Sequence, residues 1–146
     1  MSASDLTQES GPDLVELARA IATSADEGQF RRDSVTPYIE HPAAVASRAP
    51  KSPESQAAAW LHDVLEDTDL SAADLLAQGI PARVVDAVEA LTKQEGLSYE
   101  ENLERVDANE LAKGVKIADM LSNLADSPTK SQICKYARGL LKLLVE

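Results

Sequence analysis

Ala57-Ala58-Ala59-Trp60-Leu61-His62-Asp63-Val64-Leu65-Glu66-Asp67 is an apolar run with a histidine and an aspartate side by side at its centre. Ser52-Pro53 just before it has the form of an N-cap followed by a first helical residue, so the run reads as a helix over 53–66. Ala57, Ala58, Leu61 and Leu65 would face a core. Adjacent side chains on a helix diverge by about 100°, so one buried face cannot hide both His62 and Asp63. Something polar must lie against that helix. Glu66 stands one turn beyond His62, and Asp67 one turn beyond Asp63, which lines four polar groups along one edge. A cation among them would relieve their mutual repulsion, and imidazole nitrogen with carboxylate oxygen suits Mn²⁺, Fe²⁺ or Zn²⁺. The competing reading is a helix end running into solvent, with Glu66, Asp67 and Asp69 as ordinary surface charge.

Outward from this stretch the periodicity stays helical. Leu14, Leu17, Ala18 and Ile21 form one stripe of a helix over 12–25. Residues 28–40 break the period and read as a loop, leading to His41-Pro42, where Pro42 can open a short helix to 49. Ser71 with Asp74 caps a short helix that ends at Gly79, and Pro81 opens the next, with Val84, Val85, Val88 and Leu91 buried. Ser98 and Glu101 have capping-box spacing for a helix to 108. A helix over 110–124 carries Ile117, Met120, Leu121 and Leu124 as its stripe, and Ser127-Pro128 starts a terminal helix through 145. No segment alternates as a strand would, so the expected fold is all-α, a single-domain helical bundle over 12–146 behind a mobile tail, 1–11.

Composition agrees. The chain has 146 residues, 44% of them hydrophobic but only 3% aromatic, a mixture that favours packed helices in one core. A formal charge of −11 argues against nucleic-acid binding, which depends on clustered Lys and Arg. It would also repel a polyphosphate at long range, so such a substrate needs a bound cation or a local basic cluster. Cys134 is the only cysteine, which excludes an internal disulfide, and we read it as a small buried residue. No stretch reaches the roughly 20 apolar residues of a membrane span, and the cytoplasm is the default location. The apolar run 140–144 would either pack within the molecule or form a homodimer contact.

Two further positions join the histidine-aspartate pair. His41, the only other histidine, precedes a proline that fixes it at a loop-helix junction, a rigid place from which to aim a ligand; a structural or exposed histidine is the alternative and, for this residue taken alone, the commoner case. Lys116, Asp119 and Asn123 share a face of the 110–124 helix. Asp119 could be a fourth ligand and Asn123 could offer its amide to a substrate hydroxyl or phosphate. A plain Lys116–Asp119 surface pair is the alternative.

Taken in order, His41, His62-Asp63 and Asp119 reproduce the H…HD…D pattern of the HD-domain metal-dependent phosphohydrolases. Gly28-Gln29, Arg31-Arg32-Asp33 and Thr36-Pro37-Tyr38-Ile39-Glu40-His41-Pro42 resemble the opening words of the RelA/SpoT-type hydrolases. Ala58 to Thr68 and Val115 to Leu124 look like their two later words. The resemblance implies a helical domain that binds Mn²⁺ at His41, His62, Asp63 and Asp119 and removes pyrophosphate from the 3′ position of ppGpp or pppGpp. It implies Glu66 and Asp67 as the pair that positions and deprotonates the attacking water. Arg31 and Arg32 match a basic pair near base and phosphates, and Asn123 a ribose contact. Arg32 replaces the usual Lys, and Asp26 stands where many relatives have His. Two other readings stand beside this one: an HD-domain hydrolase of another nucleotide or phosphoester, and a catalytically idle domain that binds a nucleotide or a partner.

Overall fold

The structure, a computed structural model, describes residues 11–27 and 39–145. Among these residues there are nine helical segments and no strand: α1 Gly11–Ala25, α2 Glu40–Arg48, α3 Pro53–Leu61, α4 Val64–Asp67, α5 Ala72–Ala77, α6 Ala82–Leu91, α7 Tyr99–Asp107, α8 Glu110–Leu124 and α9 Lys130–Leu144. The all-helical expectation holds. The loop expected at 28–40 lies outside the described residues from 28 to 38, as do Arg31, Arg32 and Tyr38.

Helix α3 is the axis of the fold and packs on α1, α2, α6 and α8. Its composition explains why. Ala57, Ala58 and Ala59 are consecutive and wholly buried, which is possible only where neighbours close in from several sides against small side chains. Leu61, also fully buried, contributes roughly 1.5–3 kcal/mol by leaving water. Leu14, Ala18 and Ile21 of α1 and Val84, Val85 and Val88 of α6 complete this core on either side.

The helix ends follow the local sequence. Ser52 accepts from the Ser55 N–H, and Ser71 with Asp74 and Ser98 with Glu101 close capping boxes. Such caps stabilise a helix by about 1 kcal/mol each. Gly79 takes φ +100° just after α5, a conformation that ends the helix at little steric cost.

Four expectations need correction. The helix expected over 53–66 is interrupted: α3 stops at Leu61 and α4 begins at Val64. The cause is local. The His62 ring donates from Nδ1 to the Ala59 carbonyl at 2.7 Å, and that carbonyl is the one a continuing helix would offer to the Asp63 N–H. On α8 the buried face is Ala112, Val115, Asp119 and Ser122, with Ala118 and Met120 beside it, while Leu121 is 44% exposed. Small residues let α8 approach α3, so the large Leu121 falls outside. The last helix is capped by Thr129, boxed with Gln132, rather than by Ser127, which takes φ +47°. Cys134 is exposed because α9 buries Gly139 and Leu143 instead. Leu141 and Leu144 are correspondingly exposed.

Candidate metal centre

Four side chains expected to meet do meet. His41 comes from the first turn of α2, His62 and Asp63 from the break between α3 and α4, and Asp119 from the middle of α8. His41 Nε2 lies 2.9 Å from Asp119 Oδ1 and 3.7 Å from Asp63 Oδ2. His62 Nε2 lies 3.1 Å from Asp63 Oδ2 and 3.5 Å from Asp119 Oδ1. The two imidazoles meet edge to face, with centroids 5.1 Å apart. His41, His62 and Asp119 are buried and Asp63 is partly exposed, so the group opens to solvent on the aspartate side.

The helix break is what brings the pair together. Asp63 sits at φ −104° and ψ −1° between two helical segments, so it turns toward the same point as His62 instead of diverging from it. The Ala59 carbonyl fixes the His62 ring with a proton on Nδ1, which leaves Nε2 as the nitrogen that faces the carboxylates. Nε2 is buried, and although Asp63 is close, no acceptor among the described residues is aligned to hydrogen-bond it.

Electrostatics are strong here. Burial by itself disfavours every charge in the group, yet the neighbours outweigh it. The Asp63 and Asp119 carboxylates hold His62 well above its ordinary pKa. His41, His62 and Lys116 hold Asp119 well below the carboxylate range, and the imidazoles, His62 first, lower Asp63. Lys116 Nζ donates to Asp119 Oδ2 at 3.2 Å, and the carboxylate raises its pKa against the effect of burial. Asn123 Nδ2 donates to Asp119 Oδ1 at 3.1 Å, so its amide serves the carboxylate directly. A buried cluster that mixes imidazole nitrogens with carboxylate oxygens, one nitrogen of it unsatisfied, has the donor chemistry of a divalent-cation site. His41, His62 and Asp63 offer atoms within 4.8 Å of one another.

A cavity of about 270 Å³ opens beside this group, and His62, Asp63, Glu66 and Asp119 line it together. Glu66 is exposed at its wall and accepts a hydrogen bond from the backbone N–H of Lys93. Asp67 does not line this cavity; it borders a separate cleft between α1 and α4. The cavity also holds residues that the sequence reading did not place there: Lys93, Tyr99, Asn102 and Lys135. No local pattern marks them, since they reach the cavity from the α6–α7 connection, α7 and α9. Asp26, at the end of α1, is 4% exposed, and its Oδ1 has no hydrogen-bond partner among the described residues. Burial, with Asp63 and Asp67 nearby, pushes its carboxyl up to about 6.

Residues 15–127 match the family described as the HD domain. The chain belongs to the HD-domain family. This HD domain is 42% identical over 82 residues to a guanosine-3′,5′-bis(diphosphate) 3′-pyrophosphohydrolase of Haemophilus influenzae, which covers 54% of this chain and 12% of the relative. It is 35% identical over 135 residues to a probable enzyme of the same name in Synechocystis, covering 80% of this chain and 18% of the relative. The bifunctional (p)ppGpp synthase/hydrolase SpoT of Escherichia coli is 38% identical over 90 residues, 60% of this chain and 12% of the relative. The chain thus spans less than a fifth of the length of these curated relatives. Among solved structures, that of a metazoan ortholog of SpoT, described as hydrolysing ppGpp and playing a role in starvation responses, superposes with a TM-score of 0.76. It is 27% identical and the match covers 95% of this chain and 88% of that one. No helix among the described residues is long and apolar enough to cross a membrane.

Proposed function

We propose that this HD domain is a metal-dependent phosphohydrolase that removes pyrophosphate from the 3′ position of guanosine 3′,5′-bis(diphosphate). The observation that carries the reading is the convergence of His41, His62, Asp63 and Asp119 beside a cavity, in a fold shared over nearly its whole length with a structure described as hydrolysing ppGpp.

His41, His62, Asp63 and Asp119 would hold a divalent ion, Mn²⁺ in this reading, with residues 12–146 as the catalytic unit. Such an ion supplies Lewis acidity, polarising a phosphoryl oxygen and lowering the pKa of water. The chain's own groups do the rest. Lys116 and Asn123 lock the orientation of Asp119. Glu66, pinned through one carboxylate oxygen by the Lys93 N–H, would take the proton of the attacking water, whereas Asp67, which borders the separate cleft, takes no part in this reading. The water oxygen bonds to the phosphorus at the 3′ position, the bond from that phosphorus to the ribose 3′-oxygen breaks, and the 3′-oxygen takes up a proton. Arg31 and Arg32 are proposed to contact the nucleotide, while Asn123, expected at the ribose, stays hydrogen-bonded to Asp119 in this reading.

A second reading, hydrolysis of a different nucleotide, draws support from the buried Asp26, which places an acid where relatives carry His. Incubation of purified protein with Mn²⁺ and ppGpp should release pyrophosphate, and Glu66→Gln should abolish the release while leaving the fold intact. Turnover of another nucleotide but not ppGpp would favour the second reading. No turnover of any phosphoester would leave only a binding domain.

A further inference from the structure

The cavity beside the metal centre presents three ammonium groups, and they are not equivalent. Lys116 is committed to Asp119 at 3.2 Å. Lys93 and Lys135 line the same cavity and make no ion pair among the described residues. In a chain of net charge −11, with Asp63, Glu66 and Asp119 in the same cavity, two cations at its wall without an ion pair among the described residues are the local exception to the overall field.

Lys135 is also held in place. Its Nζ lies 4.7 Å from the centroid of the Tyr99 ring and 5.8 Å from that of Tyr136. One turn further along α9 is Gly139, on the same face. A Cβ there would come within 2.7 Å of both the Tyr99 hydroxyl and Met120 Cε. The absence of a Cβ at 139 lets α9 settle this close to α7 and α8 with the Tyr99 and Met120 side chains left in place, and that approach carries Lys135 over the Tyr99 ring at the cavity. An ammonium so placed keeps its donors free for an anion while its long stem loses freedom in advance.

We propose that Lys135 and Lys93 form a phosphate-recognising rim of this cavity, with Lys135 aimed by Tyr99 and Gly139, so that the site selects substrates carrying phosphate beyond the one attacked. The inference rests on the phosphohydrolase reading above and adds to it the residues that set substrate charge. The phosphate gripped is either the outer phosphate of the departing pyrophosphate or the 5′-diphosphate.

The test compares Lys135→Gln, Lys93→Gln, Lys135→Arg and, as a control away from the cavity, Lys113→Gln, using Mn²⁺-loaded protein. On ppGpp the two cavity Gln variants should each raise KM about five- to tenfold with kcat nearly unchanged, whereas Lys135→Arg and the control stay close to the parent. Repeating the measurement with guanosine 3′-pyrophosphate lacking the 5′-phosphates distinguishes the two sources. A KM rise that persists assigns the rim to the departing pyrophosphate, and one that disappears assigns it to the 5′-diphosphate. Unchanged KM on both substrates, or a fall in kcat alone, would overturn the rim. If the parent protein turns over neither guanosine compound, the phosphohydrolase reading fails on its own terms. Calorimetric titration of inorganic pyrophosphate then decides the rim separately, through weaker binding in both cavity Gln variants or its refutation by equal affinities.

Discussion

Replacing Asp119 by Asn tests the centre most directly, because this carboxylate lies within 4 Å of both imidazoles and of the Lys116 ammonium. Oδ1 lies 2.9 Å from His41 Nε2 and 3.1 Å from Asn123 Nδ2, and Oδ2 is 3.2 Å from Lys116 Nζ. An amide of the same shape offers one acceptor oxygen and presents N–H groups to donors on the other side. Lys116, only 23% exposed at its side chain, then loses its countercharge. Removing one partner of a buried pair costs about 3–5 kcal/mol. His62 can relax part of that loss by releasing its proton, so about 3 kcal/mol is expected for the metal-free protein. For a domain of this size about 1 kcal/mol moves Tm by 2–4 °C, so Asp119→Asn should melt about 6–12 °C below the parent in EDTA. With Mn²⁺ at a hundred times its Kd the parent should gain about 2.7 kcal/mol, and the variant should gain almost none. Thermal melts followed by circular dichroism, in EDTA and across a Mn²⁺ titration, read both effects. An unchanged melt in EDTA would refute the anchoring role, and an undiminished Mn²⁺ shift would remove Asp119 from the ligand set.

Two further outcomes follow from buried polar groups. Asp26 titrates at about 6 in the fold against about 3.9 in an unfolded chain. The folded state therefore binds the extra proton between these values, stability falls as pH rises through that window, and above it the cost reaches at most about 3 kcal/mol. In EDTA, Asp26→Asn should raise urea resistance at pH 7.5 and change little at pH 3.5; an equal effect at both would sink the argument. Tyr99→Phe removes a hydroxyl that is buried without a partner among the described residues, and should stabilise the protein by about 1 kcal/mol while keeping the ring under Lys135. A lower Tm in that variant would mean that the hydroxyl is satisfied in solution.

Much of the helix order was legible because caps and periodicity are local signals. Ser52, Ser71 and Ser98 each announce a helix within four residues, and the 110–124 helix is bounded as its sequence suggests. The grouping of His41, His62, Asp63 and Asp119 was legible mainly through the family resemblance: an apolar helix with two adjacent polar side chains demands some polar partner, but it is the H…HD…D order that named His41 and Asp119. The break after Leu61 was not legible, because it depends on a ring nitrogen outbidding a backbone N–H for one carbonyl. Nor was most of the face of α8: of the expected stripe Met120 is buried, but the rest of the buried face is Ala112, Val115, Ala118, Asp119 and Ser122, smaller or polar residues that the apolar pattern did not mark. Lys93 and Lys135 carry no signal in their own neighbourhoods. Their common destination arises from how α9 seats against α7, with Lys135 over Tyr99, two residues more than thirty apart in sequence.

The hydrogen bond between the His62 ring and Ala59 also bears on how this site can drift. The acceptor is a main-chain oxygen, which every amino acid supplies, so no mutation at position 59 can delete the chemistry that sets the imidazole's tautomer. What position 59 can lose is space, since its methyl group is completely enclosed. Variation there should be policed by volume alone, with Gly and Ser tolerated and larger residues rejected, although the residue lies only three places from a proposed ligand.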